Sequence, residues 1–322
     1  MSFKDSKSFN SQNVGHKIYK YFKFLYLFGF YFSFRQKKPS VIHTIDLFAT
    51  FIAILFKKKN TTLIYLQYEL FEVKKLNPID KLLFKYIQKN SAEIDLIITP
   101  EKNRTEYLKN MLFNSSITTF LTLPNSNNNQ IEIDGKASLN SKNKTIVSHI
   151  GAVGLNHHIK SYLDAIMQLN KDKFEFRFIG LLTNEVIGLI ESYQAENIKI
   201  IGQIKHSELN RYYLETDIGV ILYKDVSLNH RFCAPNKLYE YWSYGIRVIG
   251  DKLPGLESVF TDKCLGVTID MSEPSEIISA IEDVKHGNED KRITRNYFNN
   301  YLKLNHYLNQ LASKLSKNTS GK

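Results

Sequence analysis

Residues 234–250 read Ala234-Pro235-Asn236-Lys237-Leu238-Tyr239-Glu240-Tyr241-Trp242-Ser243-Tyr244-Gly245-Ile246-Arg247-Val248-Ile249-Gly250. The pattern predicts a loop, a short helix and a strand in succession. Asn236 is placed to cap a helix whose first N–H groups need an acceptor. Gly245 suits the left-handed residue just past a helix end, and Val248 and Ile249 then begin a buried strand. Lys237 and Glu240 share one face of the helix. A helix N-terminus with a lysine beside it favours a phosphate, and a carboxylate one turn on can accept two hydrogen bonds from a ribose diol. Together these groups suit a nucleoside diphosphate. The same spacing also describes an ordinary surface ion pair on an amphipathic helix, so both readings stand at this point.

Outward from this stretch, strand-like and helix-like runs alternate in both directions. On the N-terminal side, strands are expected at Ser40–Ile45, Thr62–Leu66, Asp95–Thr99 and Ile117–Leu123. Helical runs separate them at Leu47–Phe56, at Pro78–Lys89 with Ile79, Leu82, Leu83, Tyr86 and Ile87 on one side, and after Glu101. Residues 124–144, PNSNNNQIEIDGKASLNSKNK, are dominated by Asn, Ser, Gly and Lys and read as a linker. The alternation then restarts. Strands at Thr145–Ile150, Phe174–Ile179 and Ile198–Ile201 end in Gly151, Gly180 and Gly202, and a fourth runs Ile218–Tyr223. Helices are expected at His158–Leu169, Thr183–Tyr193 and Ser207–Thr216. Beyond the opening stretch come a strand near Val267, a helix from Glu273 to Val284 and one long helix from about Ile293 to Ser316. Such alternation argues for parallel sheets covered by helices on both faces. The division is a basic-aromatic segment 1–39, a first Rossmann-like domain 40–125, a linker 126–144, a second, ligand-binding domain 145–290, and a helix and tail 291–322. Ligands of such sheets bind at the carboxyl ends of the strands, where glycines such as Gly151 and Gly202 let the backbone approach closely.

The chain has 322 residues, enough for two domains, and 43% hydrophobic content, enough for packed cores. Cys233 and Cys264 fit neither a disulfide framework nor a zinc signature and read as reduced thiols of a cytoplasmic protein. Residues 1–15 are polar and carry no secretory signal. The net charge of +11 favours anionic partners. Many of the cations (Lys17, Lys20, Lys23, Arg35, Lys37, Lys38, Lys57, Lys58, Lys59) flank aromatic and aliphatic runs and form no nucleic-acid module, so no nucleic acid is expected. Phe24–Phe34, FLYLFGFYFSF, is too short to span a membrane. It suits either a helix packed on a sheet or a helix lying peripherally on an anionic membrane surface. No Asp-x-Asp pair and no zinc-spaced cluster is present, so neither a metal nor another cofactor is expected.

The motif Pro235-x-Lys237-x-x-Glu240-Tyr241-x-x-x-Gly245-x-x-Val248-Ile249 resembles the nucleotide-sugar motif of GT-B glycosyltransferases of the retaining family 4 type. The likeness continues in motif order through Val41-Ile42-His43-Thr44-Ile45-Asp46, Tyr65 to Leu70, Ile94 to Thr99, Pro124-Asn125, His149-Ile150-Gly151 and Asp217-Ile218-Gly219. The resemblance implies two Rossmann-like domains facing a cleft. It implies transfer of a sugar from a nucleotide-sugar donor to a saccharide or lipid-linked acceptor in bacterial surface polysaccharide assembly, without a metal and with retention. By resemblance Glu240 binds the donor ribose, and Pro235, Asn236 and Lys237 stand on the phosphate side. Arg231 supplies a cation where His157-His158 replaces the arginine that relatives often carry after Gly151. His43 and Asp46, at a strand end, face the acceptor or the leaving phosphate; Asp46 also reads as a plain helix cap.

Two departures stand out. Phe232 occupies the place of the first glutamate in the Glu-x7-Glu pattern of many relatives and cannot accept a hydrogen bond from a sugar hydroxyl. The first domain also lacks the family's opening strands and Gly-rich turn. That suggests a truncated product, a mis-assigned start, or a partner subunit that covers the missing surface. A catalytically impaired partner that binds nucleotide without turnover is therefore the alternative function.

Overall fold

The computed structural model describes residues 39–112, 119–129, 144–286 and 291–319. All paired strands run parallel, because each returns through a crossover rather than a hairpin. The first sheet holds β1 (Val41–Thr44), β2 (Thr62–Leu66), β3 (Leu96–Thr99) and β4 (Thr119–Thr122) in sequential order. Its helices are α1 (Leu47–Phe56), α2 (Pro78–Lys89) and α3 (Lys102–Leu112). Asp46 caps α1 by accepting from Ala49 N at 2.7 Å, and Asn77 caps α2, whose first turn begins with Pro78. α2 buries Leu83, Phe84 and Ile87 and meets α1 where the rings of Phe51 and Tyr86 pack edge-on at 4.8 Å. Ile79 and Leu82, expected on the inner side, are 68% and 70% exposed. Phe84 completes the buried face instead, and that turns Leu82 outwards.

The second sheet has the order β10-β9-β8-β5-β6-β7. Its strands are β5 (Thr145–Ile150), β6 (Phe174–Ile179), β7 (Ile198–Gly202), β8 (Ile218–Ile221), β9 (Arg247–Asp251) and β10 (Gly266–Ile269). The helices are α4 (Ile159–Ile166), α5 (Asn184–Ser192), α6 (Leu209–Glu215), α7 (Leu228–Arg231), α8 (Asn236–Ser243), α9 (Pro254–Glu257) and α10 (Pro274–His286). The chain starts at β5, grows outward through β6 and β7, then returns to lay β8 on the other side of β5. Winding reverses there, so helices cover both faces and a crevice opens at the carboxyl ends of β5 and β8. One face buries Tyr162, Leu163, Val186 and Ile281 against Phe176 and Phe178. The other buries Tyr213, Leu238, Tyr241 and Trp242 against Ile221 and Val248.

One aspartate in each domain locks the register in the same way. Asp95, before β3, accepts from Leu63 N of β2 at 2.9 Å; Asp217, before β8, accepts from Ile146 N of β5 at 2.9 Å. A lysine accompanies each, Lys57 at 3.5 Å and Lys291 at 3.7 Å. The two Asp-containing motifs thus do structural work: the carboxylate takes up an amide that would otherwise be left over at the start of the neighbouring strand.

The expected long terminal helix is broken. α11 (Lys291–Tyr297) passes through a π-helical turn, Phe298–Leu302, and Lys303 is extended before α12 (Leu304–Thr319). The break lets Leu304 N reach Asn127 O at 3.1 Å and brings Leu311 onto the first-domain cluster of Ile64, Leu96, Ile98 and Leu121. No glycine or proline marks it in the sequence. The carboxyl edges of the two sheets face each other: Asn103 Nδ2 donates to Pro254 O at 3.0 Å, Ser258 Oγ to Glu101 Oε1 at 2.9 Å, and Asn125 Nδ2 to Ala234 O at 2.8 Å. The first sheet is the smaller, with four strands against six among the described residues. The run Phe24–Phe34 and its flanking lysines lie outside the described residues. Among those described, no helix is long and apolar enough to cross a membrane.

Candidate functional site

α8 presents three inward and two outward residues that matter. Inward, Leu238, Tyr241 and Trp242 are fully buried. Trp242 Nε1 donates to Leu265 O at 2.8 Å. Tyr241 reaches the end of β5, where its hydroxyl accepts from Ile150 N and donates to Ser148 O, both at 2.8 Å. Its ring lies flat on Gly219, where a Cβ would come within 2.9 Å. The Asp-Ile-Gly motif is therefore glycine at its last position because a tyrosine of the next helix occupies the space. These anchors fix α8 against the switch point of the sheet.

Outward, Glu240 Oε2 accepts from Lys237 Nζ at 2.8 Å and from Tyr213 Oη of α6 at 2.6 Å. Among the described residues no hydrogen bond goes to Oε1. The side chains of Lys237 and Glu240 are 27% and 19% exposed, so the pair is neither sealed in the core nor fully solvated. Tyr213 is buried and stacks on Tyr244 at 4.7 Å, while Tyr244 Oη donates to Asn210 Oδ1 at 2.8 Å. Burial, then the neighbouring Tyr241 and Glu240, drives the Tyr213 phenol far above its usual value, so it stays a donor to the carboxylate. The tyrosine gives the carboxylate a second donor besides its lysine.

The start of α8 differs from the expectation. Pro235, not Asn236, is the N-cap; Asn236 is the first helical residue, and no side chain caps the helix. Leu238 N turns back to Pro235 O at 3.2 Å, so the N–H groups of Asn236 and Lys237 are the ones left for an acceptor from outside the helix. Gly245 does take the left-handed conformation just past the helix end, with φ 76°. Gly151 and Gly202 stand at the carboxyl ends of β5 and β7, joined through Gly180: Gly151 N donates to Ile179 O and Gly180 N to Gly202 O, both at 2.8 Å. A Cβ at Gly180 would lie 2.1 Å from Gly151 O, so this turn admits only glycine.

Around this edge gather rings rather than cations. The His157 ring lies 5.6 Å from Tyr223 and 5.7 Å from His230. Burial lowers the His157 pKa, and the nearby His230 and His158 push it the same way. His158 Nε2 is 3.4 Å from Asp251 Oδ2. Arg231, on α7, is exposed, with its guanidinium 3.7 Å from Asp225. In the first domain His43 is exposed on the edge strand β1, and Asp46 holds the start of α1. Glu240, Lys237, Asn236 and Pro235 therefore share one helix and its approach, Gly151 and Gly202 share one sheet edge, and His43 and Asp46 stand apart in the other domain. Sequence reading missed Tyr213 and Tyr241, whose aromatic rings read as core and whose hydroxyls do the positioning.

Two parallel α/β sheets meeting at their carboxyl edges, with a carboxylate, a lysine and an uncapped helix start at the switch point of one, define a GT-B architecture. The chain belongs to the glycosyl transferases group 1 family, whose sequence profile matches residues 130–303, more than half of its length. Similar solved structures include a sucrose-phosphate synthase from Thermosynechococcus elongatus, with TM-score 0.65 and 16% identity, covering 88% of this chain and 74% of that one. HepE from Anabaena in complex with UDP and glucose has TM-score 0.63 and 11% identity, covering 86% and 77%. The lipopolysaccharide outer core galactosyltransferase WaaB has TM-score 0.62 and 14% identity, covering 89% and 79%. At these identities the likeness is one of fold. No curated protein matches the chain by sequence.

Proposed function

We propose that this chain transfers a sugar from a nucleotide-sugar donor to a saccharide or lipid-linked saccharide acceptor in bacterial surface polysaccharide biosynthesis, with retention and without a metal. Glu240 takes the donor ribose diol, with Oε1 open and Oε2 steadied by Tyr213. The uncapped start of α8, with Pro235, Asn236 and Lys237, takes the diphosphate. Arg231, Gly151 and Gly202 line its approach, and His43 and Asp46 act on the acceptor side. Transfer then rests on positioning and on stabilising the leaving diphosphate by helix dipole and ammonium. The observation that carries this reading is the Tyr213–Glu240–Lys237 arrangement at an uncapped helix start. HepE, of the same fold, was solved with UDP and glucose, and WaaB is a lipopolysaccharide galactosyltransferase. The protein works in the cytoplasm, with residues 16–38 as a peripheral membrane contact; vesicle flotation with and without that segment tests this, and equal flotation removes it.

Phe232 supports a second reading, a partner that binds nucleotide without turnover. Its ring packs into the first-domain core, 6.4 Å from Tyr107, instead of offering an acceptor to a sugar. Calorimetry with UDP and GDP on wild type and Glu240→Ala tests both. Loss of hydrogen bonds to a charged group weakens binding about 100-fold in the variant. A wild type that binds neither nucleotide sinks both readings, and turnover with a panel of donors separates them.

A further inference from the structure

Arg104 belongs to the first domain, but its charged end works on the second. It is buried on α3, and its guanidinium spreads over three backbone carbonyls. Nε donates to Phe232 O at 2.6 Å, one terminal nitrogen to Asn229 O at 3.1 Å, and the other to Tyr68 O. A planar fork with several donors can serve three acceptors at once; a lysine cannot reproduce that geometry. Burial lowers the guanidinium pKa, and Glu69 and Glu101 are among the groups that oppose it. Glu101 is buried too, and is spoken for by Asn103, Ser258 and the Arg104 amide.

Two of those three carbonyls belong to the segment 229–234 that leads into α8, and other first-domain groups hold the same segment. Asn229 exchanges a pair of hydrogen bonds with the Leu70 backbone, at 2.7 and 3.0 Å. Asn125 Nδ2 donates to Ala234 O at 2.8 Å. The side chains of Leu228 and Phe232 pack into the first-domain core. From behind, Gly255 presses on the segment so closely that a Cβ there would lie 2.5 Å from Cys233 N and 2.7 Å from Phe232 C. The path into the nucleotide helix is thus set from one side by the second domain's own α9 and from the other by the first domain.

We infer that Arg104 and Asn125 are positioning residues for the nucleotide site: by fixing residues 229–234 they set where the start of α8, Lys237 and Glu240 stand. This rests on the nucleotide reading of α8. It gives Phe232 a role, since the place of a donor-side glutamate in many relatives is here an anchor in the opposite domain. It also makes nucleotide affinity depend on side chains of a domain that supplies none of the proposed nucleotide contacts.

The test is calorimetric titration of UDP and GDP into full-length wild type, Arg104→Ala, Arg104→Lys and Asn125→Ala, with melting curves alongside. The expected result is a Kd at least tenfold weaker in Arg104→Ala at unchanged stoichiometry, an intermediate Kd in Arg104→Lys, and about threefold weakening in Asn125→Ala, the size of one neutral hydrogen bond. A merely structural role lowers the melting temperature or the titration stoichiometry and leaves Kd at its wild-type value; that result overturns the inference. If Arg104→Ala does not fold, Asn125→Ala, which loses a single bond at the segment's end, decides in the same way. A wild type that binds neither nucleotide overturns the functional reading and this inference together, whereas wild-type binding matched by every folded variant overturns this inference alone.

Discussion

The carboxyl edges of the two sheets are built from different materials. At the second sheet the edge is backbone: Gly151 N donates to Ile179 O and Gly180 N to Gly202 O across β5, β6 and β7, and a helix start with no side-chain cap, that of α8, lies beyond β8. At the first sheet the edge is side chains: Asp46 caps α1, Glu101 is held by Asn103 and Ser258, and Arg104 and Asn125 reach across the seam. A backbone edge of glycines keeps side chains out of the space at the strand ends. A side-chain edge uses its polar groups on its own helices and on the opposite domain. On the proposed reading the two similar folds divide the labour, one binding the nucleotide and the other holding the approach to its helix in place.

The largest effect expected from breaking this contrast is at Gly180. Gly180→Ala must move either the Gly151 carbonyl or the β6 turn, and it also places a side chain at φ 134°. A loss of about 3 kcal/mol in urea unfolding is expected, since steric overlap and an unfavourable φ add. A loss under about 1 kcal/mol would mean the backbone edge is pliable and the contrast weaker than drawn.

The next effect comes from His149, two residues before Gly151 on β5. Its Nδ1 lies 3.0 Å from Val220 O, and burial, with His157 nearby, pushes its pKa down to about 4. A histidine with a lowered folded pKa is neutral in both states above the unfolded value of about 6.5 and contributes no pH dependence there. As pH falls below that value the unfolded chain takes up a proton that the folded chain refuses. Stability then drops by about 1.4 kcal/mol per pH unit until the folded pKa is reached. Between pH 7 and pH 5 the wild type should lose about 2 kcal/mol more than His149→Gln in urea unfolding. Equal losses would show that the ring is not kept neutral by the fold.

How legible each edge was follows from what it is made of. Glycines at strand ends and Gly245 past the helix are readable because the backbone tolerates few residue types there, and Lys237 and Glu240 because helix spacing puts them on one face. The strand–helix alternation gave both parallel sheets for the same reason, since parallel strands need long crossovers. The Asn236 cap was misplaced by one residue because proline is a poor cap that only context selects. Arg104 and Asn229 were invisible as partners: their bonds span 125 to 159 residues, and nothing local marks an arginine whose acceptors are carbonyls in another domain. The break at Lys303 was equally hidden, since docking of α12 on the first sheet, not a helix breaker, produces it.

The smallest effect on stability is at Asp46, and it sharpens the contrast most. The carboxylate accepts from Ala49 N at 2.7 Å, so it is a helix cap by geometry. Asp46→Ala should cost about 1 kcal/mol of stability, as cap removal commonly does. Asn is an equally good cap, so Asp46→Asn should restore the melting temperature. The acceptor-side role proposed for Asp46 and His43 needs the charge as well as the cap. On that role Asp46→Asn and His43→Ala keep the wild-type Kd for nucleotide, whose proposed site lies in the other domain, and lose about 100-fold in turnover, the low end of what a positioned acid–base group contributes. If turnover survives Asp46→Asn, the carboxylate of the first sheet edge serves its own helix and nothing else, and the acceptor chemistry must be sought among the rings of His157, Tyr223 and His230.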